Sequence, residues 1–505
     1  MKKNLLKSSF LMLLIAFTIN VNAQDKKQPN VLFIIVDDWG YKDMSLHGSN
    51  LYQTPNADKL AKEGIDFQNA YSSYPRCVPS RYGIMTGTYP VNEDHGNLGA
   101  IKEEKNFVKK FKKAGYSSFY VGKWHLGSEE SSPKGFGFDD SFAAGEAGGT
   151  ASHFYPYNKG REEGVKGEKA AIEDVTKYAH EGEFLSDVLT RRTIEYIKAD
   201  KNKPFIGVLA FYAVHTPIEA KPEDVERNQK EIDAKGLGTA PIYRPEGNAE
   251  TRINQNDPTY AGLVENTDEN IGKLIQALKD NGLYENTIIV LTSDHGGLST
   301  RGKNNRILPT SNEPYRAGKG WIYEGGIKVP LLFHFPKEVK AKVETESIIL
   351  GMDIFPTLTD YVLKERINGI DGQSFKNVIK GKEKWNDRTV YWNSYKARPT
   401  QTGDDKTSAI RVGDYKLLHF VESDKVELYN VKEDISEKND LSAKMPEKTA
   451  EMLALLNKWK ADKKVKMKAN HKSGGEKELT PKQQAKKDAK KAERKAAKKA
   501  EKSKE

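Results

Sequence analysis

Cysteine is almost missing from this chain of 505 residues, which carries only Cys77. A single thiol closes no intramolecular disulfide, so no disulfide framework holds the fold, and Cys77 itself calls for a reason beyond that of a buried inert thiol. Long apolar runs are missing too. The best candidate, from about Phe10 to Val21, is shorter than the roughly 20 residues a membrane-spanning helix needs and is broken by Thr18 and Asn20. With Lys2, Lys3 and Lys7 ahead of it and Val21 and Ala23 at the small-residue positions behind it, this stretch reads as a secretory signal over residues 1–23. The mature chain is then expected to be periplasmic or secreted, with no membrane span after cleavage. No internal repeat and no glycine-rich phosphate loop stands out, which argues against solenoids and against P-loop nucleotide chemistry.

Positive charge is plentiful, but not where a nucleic-acid groove would need it. Of the net +10, the three lysines of the signal supply +3 and residues 482–505 supply +7, so the rest of the chain is balanced. The basic character belongs to the ends, and no nucleic-acid partner is expected. Beyond about Lys463 the Lys/Ala/Glu-rich sequence has no apolar stripe, so residues 466–505 read as a disordered or isolated helical tail. A polyanion is a conceivable contact for it; a solvated tail is the simpler reading.

Val31 to Val36 is a continuous apolar run ending at Asp37, Asp38, Trp39 and Gly40, the pattern of a strand buried on both faces. The same grammar recurs at Ser117 to Val121 before Gly122 and Lys123, at Phe205 to Val214 before His215, and at Thr287 to Thr292 before Asp294 and His295. Helical patterns at Asn56–Glu63, Phe107–Ala114, Phe184–Ile197 and Tyr260–Asn281 alternate with these strands. The expected fold is α/β, a large mixed, mostly parallel sheet flanked by helices over residues 24–352. Ligands of such sheets bind beyond the carboxyl ends of the strands, so the four polar strand ends are expected to meet at one rim. From 353 to 465 the texture changes to a helix, Ile354–Leu363, then short strand patterns at Val390–Trp392, Ser408–Val412, Tyr415–Phe420 and Glu427–Tyr429, and a helix near Glu447–Lys460. These predict a smaller C-terminal antiparallel sheet plus helix. The stretches Ser128–Glu183 and Glu219–Asn256 read as polar, irregular loops facing a substrate.

Cys77 opens the series Cys77, Val78, Pro79, Ser80, Arg81, followed by Thr86 and Gly87. This resembles the first signature of the formylglycine-dependent type I sulfatases, with Met85 where the family usually has Leu, a volume-conserving exchange. Gly115, Tyr116, Ser118, Gly122, Lys123, Trp124 and His125 resemble the second signature. Asp37 and Asp38, Asp294, the series Gly318, Lys319, Tyr323 to Gly326, Val329 and Pro330, and further on Arg411, Gly413 to Leu417 and Glu427 to Tyr429 extend the resemblance from about Asn30 to Tyr429.

The resemblance implies an alkaline-phosphatase-like fold and hydrolysis of sulfate monoesters. A sulfate ester is a stable anion whose cleavage needs a nucleophile, cations facing the sulfate oxygens and a proton for the leaving alcohol. In this family the cysteine, here Cys77, is oxidised to formylglycine (3-oxoalanine) by a formylglycine-generating maturation enzyme. One hydroxyl of its hydrate attacks sulfur, and the other later expels sulfate. The resemblance also implies one Ca2+ held by Asp37, Asp38, Asp294 and the modified Cys77. His295 stands at a further ligand position where many relatives carry Asn. An Asp pair after a strand also suits helix capping, a reading that Asp294 weakens. Arg81 is implied as partner of the nucleophile and the metal carboxylates, and Lys123 and Lys319 as ligands of sulfate oxygens. His125 and His215 are implied as the acid and base, their division left open. His47, His153 and His180 are weaker candidates for the pocket. The substrate expected is a sulfated poly- or oligosaccharide. A phosphodiester or phosphonate monoester hydrolase of the same superfamily is the first rival, a two-metal phosphatase would want Ser or Thr at position 77, and a non-catalytic glycan-binding protein would have lost some of these residues.

Overall fold

Strand β1 (Asn30–Val36) shows how the sequence builds the frame, since Leu32, Ile34 and Val36 enter one hydrophobic cluster and Val31, Phe33 and Ile35 another on the opposite face. Alternate residues of a strand point to opposite sides, so an unbroken apolar run is what a sheet covered on both faces requires. The other strands of this sheet are β2 (Ile65–Phe67), β3 (Ser117–Gly122), β4 (Asp140–Phe142), β5 (Phe205–Ala210), β6 (Thr287–Ser293), β7 (Leu331–His334) and β8 (Lys342–Glu344), in the spatial order β8-β2-β7-β6-β1-β5-β3-β4. β1 runs parallel to β5 and β6, and β3 parallel to β4 and β5; β7 is antiparallel to β6 and β2. The sheet is therefore mixed and mostly parallel, as the alternating pattern predicted. β6, β1, β5 and β3 are neighbours, so their carboxyl ends do meet at one rim.

The computed structural model describes residues 28–157, 172–199, 202–239 and 241–467. The expected signal segment and nearly all of the Lys-rich tail lie outside the described residues. Among the described residues no helix is long and apolar enough to cross a membrane. The described residues up to Lys466 belong to one compact unit.

Helices α1 (Pro55–Glu63), α2 (Cys77–Thr86), α3 (Phe107–Lys113) and α4 (Leu185–Ala199) fall where expected or, for α2, at the cysteine signature. The polar stretch after Glu219 departs from expectation. It holds α5 (Pro222–Ala234) and a hairpin, Tyr243–Glu246 with Ala249–Arg252, that Thr300–Arg301 extends to three strands. α5 escaped notice because it packs on α6 (Pro258–Asp280) largely through polar side chains: Asn228 and Arg227 both bond Glu265, and Ile232 is its one fully apolar anchor. The strand expected over Phe205–Val214 stops at Ala210, after which the chain bends over the rim.

After α7 (Ile354–Leu363), β9 (Thr389–Ser394), β10 (Thr407–Val412), β11 (Tyr415–Phe420) and β12 (Lys425–Asn430) form an antiparallel meander. α8 (Pro446–Asp462) covers it, with Trp459 stacked on Tyr391 at 4.7 Å. Lys416 lies in the seam between this sheet and the segment before β7, its Nζ 2.9 Å from both Glu324 Oε1 and Glu437 Oε1, and all three side chains are buried. Burial pushes the Glu437 carboxyl up to about 7 although Lys416 opposes it. Burial opposes ionisation of Glu324 as well, but Lys416, Lys328 and Arg411 win and hold it down at about 2.

Lys416→Met is expected to destabilise the protein by about 3–5 kcal/mol, because it strands two buried carboxyl groups, and urea unfolding measures the loss. The pH dependence has a definite sign. Glu437 binds its proton more tightly folded than unfolded, so its stabilisation is complete below about 4.3 and is lost as the pH rises through about 7. Glu437→Gln should flatten that decline in unfolding free energy between pH 5 and 8.

Candidate active site

Each polar strand end delivers one part of the site. β1 ends in Asp37 and Asp38, with Asp37 N donating to Ala213 O and Val214 N donating to Asp37 O, which fixes the turn to the segment after β5. Asp38 sits in the left-handed region at φ 61°. β3 delivers Lys123 and His125, β6 delivers Asp294 and His295, and the segment after β5 delivers His215. Opposite them, Cys77 occupies the first turn of α2, where free backbone N–H groups favour negative charge. α2 ends at Gly87, whose φ of 66° and N–H bond to Gly83 O make a left-handed cap, which accounts for the Thr86-Gly87 pair of the motif.

The side chains converge closely. Cys77 Sγ lies 3.2 Å from His295 Nε2 and 4.0 Å from Asp38 Oδ1. One ligand atom from each of Asp37, Cys77, Asp294 and His295 falls within 4.8 Å of the others. Lys123 Nζ donates to Asp37 Oδ2 at 2.5 Å, and Lys319 Nζ donates to Asp38 Oδ1 at 2.6 Å and Oδ2 at 2.9 Å. Arg81 is wholly buried; its Nε donates to Asp294 Oδ2 at 2.9 Å, its Nη1 to Lys123 O at 2.5 Å, and its Nη2 stands 3.4 Å from Asp37 Oδ1. The adjacent carboxylates thus each carry a lysine, a pairing that the sequence order of these residues does not reveal.

The electrostatics follow from burial against charge. Burial opposes ionisation of the Cys77 thiol, yet Lys123, Lys319 and His295 outweigh it and hold the thiol well below its ordinary range. Burial opposes Asp294 too, but His295 and Arg81 keep it ionised. Asp37, the most crowded carboxyl, goes the other way: burial lifts it well above the carboxylate range against the pull of Lys123. Its Oδ1 is buried and accepts no hydrogen bond. A carboxylate oxygen orphaned among two further carboxylates is a position that a hard cation would satisfy. His295 is suited to join such a cation, because its Nδ1 donates to Gly296 O at 3.0 Å, leaving Nε2 to face Cys77 and Asp38.

His215 is oriented in the same manner, Nδ1 donating to Thr216 O at 2.8 Å and Nε2 lying 3.9 Å from Asp38 Oδ2; burial first, then Lys319, pushes its pKa down to about 3. Burial also lowers His125, while its hydrogen bond with Cys77 raises it. Both shifts favour the neutral imidazole, which can accept a proton. Above Cys77 lies a pocket of about 260 Å³ that His125, His215 and Lys319 line from below.

All ten residues singled out in the sequence are brought together here. His47, His153 and His180 are not in the pocket. His47 is buried against Asp66, His153 lies behind His215 with Nε2 3.2 Å from its carbonyl oxygen, and His180 is exposed. His95, Tyr74, Arg76, Tyr395 and Arg398 line the pocket without having been foreseen. Gly148 and Gly149 were also missed. A Cβ at Gly148 would sit 2.4 Å from His125 Cε1, and one at Gly149 would sit 3.2 Å from His215 Nδ1, so this pair sets both imidazoles. Gly148→Ala is expected to displace His125 and cut kcat about tenfold or more while leaving the thermal unfolding midpoint near that of the wild type, as kinetics and calorimetry on the one preparation will show.

Residues 29–362 match the sulfatase family model, and residues 316–464 match the model of the N-sulphoglucosamine sulphohydrolase C-terminal region. A sulfatase of Formosa agariphila is 26% identical over 86% of this chain and 89% of its own length. An N-acetylglucosamine-6-O-sulfatase of Bacteroides thetaiotaomicron is 27% identical over 88% of each chain. Among solved structures, Ps i-CgsB in complex with k-i-k-neocarrahexaose superposes with a TM-score of 0.69 at 31% identity, covering 86% of this chain and 93% of that one. The phosphonate monoester hydrolase of Agrobacterium radiobacter shares the fold, with a TM-score of 0.56 at 20% identity over 86% of this chain and 96% of its own.

Proposed function

The chain belongs to the sulfatase family and is a sulfuric ester hydrolase, and on that premise we propose that Cys77, oxidised to formylglycine, is its nucleophile and that a sulfated poly- or oligosaccharide is its substrate. The observation that carries this reading is the position of Cys77, the one cysteine of the chain, in the pocket and within reach of three carboxylates, two lysines and three imidazoles. A hydrated formylglycine would supply there a hydroxyl nucleophile in place of a thiol. Asp37, Asp38, Asp294, His295 and residue 77 would hold a calcium ion, whose chemistry is to offset negative charge on the nucleophile and on the sulfate oxygens.

The chain's own residues do the rest. Lys319 lines the pocket over Cys77 and Lys123 lies buried beside it on Asp37, and both serve as cations for the sulfate oxygens. Arg81 fixes Asp37 and Asp294 at the spacing the metal requires. His125, hydrogen-bonded to residue 77, takes a proton from it, and His215, neutral at rest, takes up a proton from solvent on its free Nε2 and passes it to the leaving oxygen. His153 and Gly149, behind and beside His215, hold that ring in place. Export through the signal at residues 1–23, residence in the periplasm or outside the cell, and maturation by a formylglycine-generating enzyme belong to the same reading. The division into a catalytic domain over 24–352, a C-terminal subdomain over 353–465 and a tail from 466 does so as well.

The test compares sulfate release from 4-nitrophenyl sulfate with phosphate release from the matching phosphate and phosphonate esters. Preference for the sulfate is expected, abolished by a chelator and restored by calcium. Calorimetry should count one calcium per chain and record a raised unfolding midpoint, both lost in Asp37→Asn. Preference for the phosphonate would move the chain to the rival chemistry.

A further inference from the structure

The floor of the pocket belongs to the machinery above, but its rim does not. The rim comes from residues flanking the start of α2, notably Tyr74 and Arg76, and from the connector between β9 and β10, which supplies Tyr395 and Arg398. This connector is tied firmly in place. Asp404 Oδ1 accepts from Arg76 Nη2 at 2.5 Å, Asp404 Oδ2 accepts from the backbone N–H of Arg398 at 3.3 Å, and Trp321 Nε1 donates to Thr402 O at 2.8 Å. The Tyr395 ring lies against Tyr74 at 5.0 Å. The small C-terminal sheet therefore lends a fixed wall to a site whose chemistry lies on the large one.

The charges of this wall do not cancel. Lys396 pairs with Glu93 at 2.6 Å, Arg76 with Asp404, and Lys319 below them with Asp38. Arg398 has no carboxylate within ion-pair distance among the described residues, and its Nη1 reaches only Gln401 Oε1 at 3.3 Å. Arg398 is exposed; desolvation of part of its side chain and then the neighbouring Arg76 act against its charge, while Cys77 and Asp404 act for it. A planar guanidinium with unused donors, beside another cation and facing a pocket, is matched by an oxyanion that arrives with the ligand.

We propose that the saccharide this pocket takes carries a second anionic group, a sulfate or a carboxylate on the same or the adjoining sugar, and that Arg398 binds it. The proposal rests on the sulfatase reading and narrows it to polyanionic saccharides, with specificity set by the β9–β10 connector. In this proposal Arg398 is a specificity residue, which binds the second anion rather than the sulfate that is cleaved.

The experiment uses holoenzyme and one hexose oligosaccharide in three matched forms: singly sulfated, doubly sulfated, and singly sulfated with a neighbouring uronate. For the wild type, kcat/KM should favour a doubly charged form about tenfold or more, chiefly through KM, and whichever doubly charged form is preferred identifies the second anion. In Arg398→Ala the ratio of doubly to singly charged kcat/KM should fall to near one. Arg398→Lys, which keeps the charge but not the fork, should be intermediate. Calorimetric binding of the same three saccharides to Cys77→Ala and to Cys77→Ala/Arg398→Ala should repeat the preference and its loss without turnover. A wild type that treats all three alike, or a preference that survives Arg398→Ala, overturns the proposal and leaves the sulfatase reading standing. Failure to release sulfate from any ester, aryl sulfate included, would overturn the sulfatase reading instead, and the binding comparison would still decide the role of Arg398.

Discussion

Cys77→Ala should lower sulfate release by at least about 10⁴-fold, because it removes the atom from which the nucleophile is made and leaves only the bound cations to act on the ester. The fold should survive. Cys77 is small, lies at the first turn of α2 rather than in the centre of a hydrophobic cluster, and is not needed for the α2 backbone bonds. Its removal also relieves Asp37 of a negative neighbour. Cys77→Ser separates two explanations of such a loss. It restores a hydroxyl of similar size but offers no thiol to the maturation enzyme, so it should be as inactive as Cys77→Ala. Activity in Cys77→Ser near that of the wild type would mean that oxidation of the residue is unnecessary.

Arg81→Met should cost about 3–5 kcal/mol of stability and about 10³-fold or more in activity. The side chain is almost wholly buried and joins Asp294, Asp37 and the carbonyl of Lys123. Without the guanidinium two carboxyl groups remain buried and short of a counter-charge, the situation in which breaking a buried pair is most expensive. Arg81→Lys distinguishes charge from shape. An ammonium group offsets the carboxylates but cannot bond all three partners at once, so part of the stability should return and little of the activity. Urea unfolding and sulfate release on the three proteins check this, and an Arg81→Met protein as stable as the wild type would contradict the role assigned to Arg81.

How much of this could be read from the sequence depended on range. β1, β3, β5 and β6 announced themselves because strands buried on both faces must be apolar throughout, and each was followed, at once or within five residues, by a residue with its own chemistry. Their adjacency in the sheet then brought Asp37, Lys123, His215 and Asp294 together, as the strand-end rule requires. The ion pairs of Lys123 with Asp37 and of Lys319 with Asp38 were not legible, since residues 86 and 281 positions apart show no mutual pattern along the chain. α5 was hidden by its polar packing face. Arg398 was hidden for another reason: nothing around it resembles a motif, and it reaches the pocket only because Asp404 anchors its connector to Arg76, 328 positions away. The reaction chemistry lies in short contiguous motifs, whereas the specificity wall comes from a loop of the second sheet.

The most direct test of the central claim is the mass of the tryptic peptide that begins at Cys77, taken from active protein made in a host with formylglycine-generating machinery. The account predicts a peptide about 18 Da lighter than the thiol form, the change from cysteine to formylglycine, in a proportion that tracks specific activity across preparations. Fully active protein whose Cys77 peptide carries an intact thiol would contradict it.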